Sequence, residues 1–220
     1  MKAFKKYALR LMKDDHASVD KRKLWPAMVD RVRTVFAEIE QSPLAGHYGS
    51  LYLHQVVPEA LREFREDQIL GQLQLSCGTR QLGLWGVETK VEKRKGKAKP
   101  LFESDAALWF NQAPSGLVTV FMAPYGSDNL RMNEDNIVLG VYKSPAKITD
   151  REIGKLFSKF FKYLSITSTH HQQGFSEYAW RLWLIYRDVR SRKYNGGIKL
   201  LERLLIAAGA AACIIPLFPK

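Results

Sequence analysis

The residues best suited to chemistry are Glu88, Thr89 and Lys90, which close an alternating stretch, with Asp67 as the nearest upstream acid. In such a pattern the carboxylates hold a divalent cation and the lysine orients or activates a water, the needs of metal-assisted phosphodiester hydrolysis. The pattern is short, and Glu92-Lys93 beside it shows how ordinary such charges are in this chain. A strand of alternating charge at a sheet edge, its lysines discouraging edge-to-edge pairing, accounts for the same residues.

Other reactive side chains are dispersed. His170 and His171 are adjacent, so a regular helix or strand does not point both at one ion, and a polar loop is their expected setting. Cys77 falls in an expected strand and Cys213 in an apolar helix, without the spacing of a metal site or disulfide framework, which fits a reducing compartment. No phosphate loop, dinucleotide fingerprint, nucleophile elbow or His-Glu-x-x-His pair occurs. No cofactor or resident metal is expected, and a non-enzymatic role leads.

The 220 residues carry a net charge of +12, which favours an anionic partner, and their 46% hydrophobic content excludes a disordered chain. Charge concentrates in KVEKRKGKAK, where Lys90, Lys93, Arg94, Lys95, Lys97 and Lys99 stand against one acid. This segment is expected to be a solvated hairpin loop or linker, and it is the candidate contact for an anionic partner. Were that partner nucleic acid, Trp85, Trp109, Phe110 and Tyr125 would be the rings available to stack bases, although aromatics in alternating strands more often fill a core.

Positioning these residues requires an α+β scaffold. Phe4, Tyr7, Ala8 and Leu11, then Val29, Val32, Val35, Phe36 and Ile39, have helical spacing and predict two helices with a break near Asp14–Asp20. Trp25-Pro26 suits the start of the second. A short strand is expected over 51–57 and a charged helix from Pro58 to about Asp67. Leu70, Leu73 and Leu75, then Leu82, Leu84 and Val87, read as two strands joined by a turn. Strands over 108–110, 117–121 and 137–142 complete an antiparallel sheet of about five strands. Thr149-Asp150-Arg151-Glu152 has the form of a capping box and opens a helix to about Ser165, and another is expected from Ser176 to about Tyr194.

The end of the chain is the most distinctive part. Residues 204–218, LLIAAGAAACIIPLF, offer water no polar face, so a helix there must be buried on all sides. At ~1.5 Å per residue it spans about 22 Å, short of a hydrocarbon core of roughly 30 Å, and beginning at Leu200 extends it to about 28 Å at the cost of including Glu202 and Arg203. The segment before it sets Trp180, Trp183 and Tyr186 beside Arg187, Arg190, Arg192 and Lys193, the mix of interfacial rings and cations found at the cytoplasmic leaflet. Small residues from Ala207 to Ala212 would also let a second copy approach, giving a homo-oligomer.

Three parts are expected: a helical segment 1–45, an α+β core 46–170, and an aromatic, basic helix with a hydrophobic tail 171–220. The favoured function is membrane association on the cytoplasmic side of the bilayer, with Leu204, Leu205, Ile206, Ile214 and Ile215 as the anchor, an arrangement suited to recruitment or to a toxin-like or immunity effector. A soluble nucleic-acid-binding protein or a subunit of a larger complex is the first alternative. A metal-dependent nuclease using Asp67, Glu88 and Lys90 is the second.

Overall fold

Strict alternation in QLQLSC sends Leu73, Leu75 and Cys77 to one face and Gln72, Gln74 and Ser76 to the other, and this builds the centre of the fold. The computed structural model describes residues 1–55, 64, 69–88, 97–127 and 136–188. Within it, β1 (Leu51–Gln55), β2 (Gln72–Cys77), β5 (Ala107–Gln112), β6 (Val118–Ala123) and β8 (Ile137–Tyr142) form a five-stranded sheet in the order β1-β2-β5-β6-β8. Every pairing is antiparallel. The register Leu73–Phe110 and Phe110–Val120 carries the buried face from strand to strand. At β8 the register shifts between Val120 and Phe121, a bulge that passes over Leu139.

Two helices cover that face. Helix α2 (Trp25–Glu40) brings Trp25, Met28, Val29, Val32 and Phe36, spaced three or four apart on one stripe. Helix α3 (Asp150–Thr167) brings Ile153, Leu156, Phe157, Phe160 and Leu164. The side chains of α2, α3 and the sheet form one hydrophobic cluster. Thr149 caps α3 as its sequence implies, its Oγ1 accepting from the Glu152 amide at 3.4 Å. The Glu152 carboxylate is turned instead toward Lys155 Nζ and the Tyr142 hydroxyl.

Four sequence expectations need correction. Helix α1 runs unbroken over Lys2–Arg22, because Asp14 and Ser18 lie on exposed turns where an Arg10–Asp14 ion pair and a Ser18 bond to the Asp14 carbonyl sit comfortably in a helix. The break falls at Lys23-Leu24, since Pro26 has no N–H to offer the Arg22 carbonyl four residues earlier. Strands β2 and β3 (Arg80–Glu88) do not pair with each other. Gly78-Thr79 carries the chain out of the first sheet into a second of order β3-β4-β7, with β4 at Lys97–Ser104 and β7 at Gly126–Ser127.

Lys97 and Lys99, read as loop, belong to strand β4, paired with Glu88 and Gly86. Alternating lysines and a proline disguise a strand whose first half, among the described residues, pairs with β3 alone, because β7 pairs with Glu103 and Ser104. The chain returns to the first sheet through Asp105, whose φ of 69° is one that aspartate tolerates better than most side chains. Helix α4 spans Phe175–Arg187 and stops short of Tyr194, with Asp188 leaving helical geometry at ψ 118°. The helix expected over 58–67, apart from Phe64, and the tail over 204–218 lie outside the described residues.

Candidate functional site

Glu103 on β4 is the most deeply buried acid among the described residues, and four donors surround it. Arg80 Nη1 donates to Oε2 at 2.7 Å and Ser168 Oγ donates at 3.2 Å. The Thr169 amide and hydroxyl donate to Oε1 at 2.5 and 2.7 Å. Burial would raise the pKa of this carboxyl, but the Thr169 amide, the Thr169 hydroxyl and Arg80 together hold it below the ordinary range. A carboxylate so committed has neither a free lone pair for a cation nor a proton to exchange. It is a clamp tying the second sheet to the end of α3.

The clamp sets the path of the loop that leads into α4. His170 Nε2 lies 3.0 Å from the Leu82 carbonyl, and His171 Nε2 lies 2.7 Å from Glu177 Oε2. The same Glu177 oxygen accepts from the Gly174 amide at 3.0 Å, satisfying a donor ahead of the first turn of α4. Hydrogen bonding from Gly174 first, and from His171 next, lowers the Glu177 pKa. The adjacent histidines are thus used separately, one against β3 and one against α4, in the loop setting their spacing suggested. Beside them an open cleft of about 400 Å³ is lined by His47, Tyr48, Arg80, Tyr125 and Ser168.

Held this way, α4 has an unusual distribution. Its inward face is packed: Leu184 is buried, Trp180 and Ile185 lie against the core, and Lys162 Nζ sits 4.4 Å from the Trp180 ring centroid. Its outward face is apolar too. Phe175 (88% exposed), Tyr178, Leu182, Trp183 and Tyr186 (58%) all meet water. Arg187 stacks over Trp183 at 4.6 Å, a cation on an aromatic plane. A surface helix ordinarily turns charged side chains outward, so an apolar outward face on a helix already packed on its inward side is unusual.

Of the interface residues taken from the sequence, Trp183, Tyr186 and Arg187 are on the outward side and Trp180 is turned inward. Phe175 and Leu182 were missed. Their spacing of seven, continued by Tyr186, is the signal that marks a single helical face. Arg190, Arg192, Lys193 and the anchor residues Leu204, Leu205, Ile206, Ile214 and Ile215 lie outside the described residues. No described helix is long and apolar enough to cross a membrane.

The proposed hydrolytic trio is not brought together on what is described, for Asp67 and Lys90 lie outside it and Glu88 ends β3 opposite Lys97. Among the described residues no group of three or more His, Cys, Asp or Glu is arranged to hold a metal ion. Of the basic segment, Lys93, Arg94 and Lys95 are likewise outside, while Lys97 and Lys99 extend the β3–β4 hairpin. The four candidate stacking rings share no face: Trp85 is exposed on the second sheet, Trp109 stacks on Phe121 at 5.0 Å, and Phe110 and Tyr125 are buried. Cys77 is buried in β2, and burial pushes its thiol up to about 12.

No family model matches the chain, and no curated protein or solved structure is significantly similar to it.

Proposed function

We propose that this chain is a membrane-associated, basic α+β protein that acts by where it is held, with α4 and the apolar segment behind it engaging the bilayer from the cytoplasmic side. The observation that carries the reading is the outward face of α4, where Phe175, Tyr178, Leu182, Trp183 and Tyr186 are exposed although the inward face is packed. Transfer of roughly 60–100 Å² of apolar area per side chain into the headgroup boundary contributes about 1.5–2.5 kcal/mol each at ~25 cal/mol/Å². Arg187 lies on the same helix, and Arg190, Arg192 and Lys193 come after it in sequence, each worth about 1 kcal/mol near an anionic leaflet. Aromatic rings with polar edges and cations beside them suit headgroup depth better than a dry protein interface.

Fractionation tests this with the full chain, a version ending at Gly197, and the double variant Leu182→Glu/Tyr186→Glu. The full chain should sediment with membranes and resist salt. The shortened version should bind anionic vesicles in a salt-sensitive manner, and the double variant in that background should bind them more weakly and lose vesicle protection of α4. If the full and shortened chains both stay monodisperse without detergent and neither binds vesicles, the reading is lost.

A further inference from the structure

Helix α1 is the second feature that is left largely uncovered among the described residues. None of its 21 residues is buried, and residues 1–17 are exposed throughout. Its last turn alone is tied down, where Arg22 donates to the Pro114 carbonyl and the Lys21 side chain lies against Gly116. In proteins most helical stability comes from packing of an amphipathic face rather than from intrinsic propensity.

Its two sides differ sharply. Successive residues turn by about 100°, which places Phe4 (76% exposed), Tyr7, Ala8, Leu11 (66%) and Met12 on one arc. Lys2, Lys5, Lys6, Arg10 and Lys13 occupy the other, interrupted only by Leu9. No acid occurs before Asp14. Asp14 and Asp15 then fall on the apolar side and end the stripe.

We infer that the first half of α1 lies in the surface of an anionic lipid bilayer, apolar arc down and lysines in the headgroup layer. A second copy of this chain is the wrong occupant: the stripe covers under two heptads, and a like helix would bring five further cations while its nearest carboxylates, Asp14 and Asp15, fall on the apolar side. Nucleic acid would use the cations and leave the rings in water. A sheet of acidic lipid is the one partner whose chemistry matches both arcs. The inference takes its setting from the membrane reading but stands on a different helix from the one that carries it.

Amide hydrogen exchange on the full chain tests it locally. With phosphatidylcholine vesicles containing phosphatidylserine, residues 2–15 should exchange about tenfold more slowly or better, with phosphatidylcholine alone hardly at all. The slowing should vanish in Lys5→Glu/Lys6→Glu and in Phe4→Ser/Leu11→Ser, while exchange across β5 and β6 is unchanged, since these substitutions touch no buried residue. Residues 2–15 responding while α4 and the tail do not would sink the α4 reading and leave this one standing. The inference is overturned if α4 is protected by vesicles and residues 2–15 are not, if both lipids protect equally, or if protection follows protein concentration without lipid.

Discussion

Replacing Glu103 tests the device that aims α4. Glu103→Ala leaves the Thr169 amide without its acceptor, costing about 1–3 kcal/mol, and strands a guanidinium. Breaking a buried ion pair from one side costs about 3–5 kcal/mol, but the Arg80 side chain is 28% exposed and can recover water, which places the total near the lower end, about 3 kcal/mol. Glu103→Gln should cost about 2 kcal/mol, because its amide nitrogen must face either Arg80 or Thr169, both donors. The pH dependence gives the sharper readout. The folded pKa of Glu103 lies below its unfolded value of about 4.3, so its contribution is complete above that value and is lost as pH falls through the folded one. Urea unfolding followed by circular dichroism should show the gap between wild type and Glu103→Gln narrowing as the pH falls below the unfolded value of about 4.3. A gap that stays constant as the carboxylate is titrated, or one under about 0.5 kcal/mol at neutral pH, would refute the clamp.

Packing yields two further expected outcomes. A Cβ on Gly71 would overlap the buried Trp25 indole, so Gly71→Ala should lower stability by about 1–3 kcal/mol in the same urea titration, and a neutral result would mean that Trp25 has room to move. With its thiol at about 12 and buried, Cys77 should resist maleimide in the native protein in a Cys213→Ser background and react once urea unfolds it; rapid native labelling would contradict its place in the core.

Where a segment's fate depends on its own pattern, the sequence was a good guide. Ile137–Tyr142 is a strand with the boundaries its β-branched run implied, and α3 begins at the Thr149 cap. Partnership was less visible. The alternation of Leu82, Leu84 and Val87 shows a strand, but only the folded chain shows that Gly78-Thr79 delivers it to a second sheet. Strand β4 was hidden because KAKP is poor in the residues that pack on a covered sheet, and much of this hairpin is not covered: Leu84, Trp85 and Val87 all meet water. The Glu103 cluster left no local signature at all. Its partners lie 23 residues before it and 65 or 66 after it, so nothing short of the fold brings them together.

The structural division of labour bears on how both membrane proposals can be separated from folding. Helices α2 and α3 cover the first sheet, so the core is closed without the outward face of α4 and without any residue of α1. Substitutions at exposed positions away from caps and buried networks usually change stability by less than about 0.5 kcal/mol. Phe4, Leu11, Leu182 and Tyr186 meet that condition, whereas Trp180 and Leu184 on the inner face of α4 do not. Loss of membrane contact in Leu182→Glu/Tyr186→Glu therefore reports on the surface, while the same loss in a Leu184 variant would report only on unfolding. The clamp at Glu103 joins the two cases: its removal should weaken membrane contact through α4 by letting the loop 168–174 move, and should leave α1, tied down at Arg22 and Lys21, unaffected.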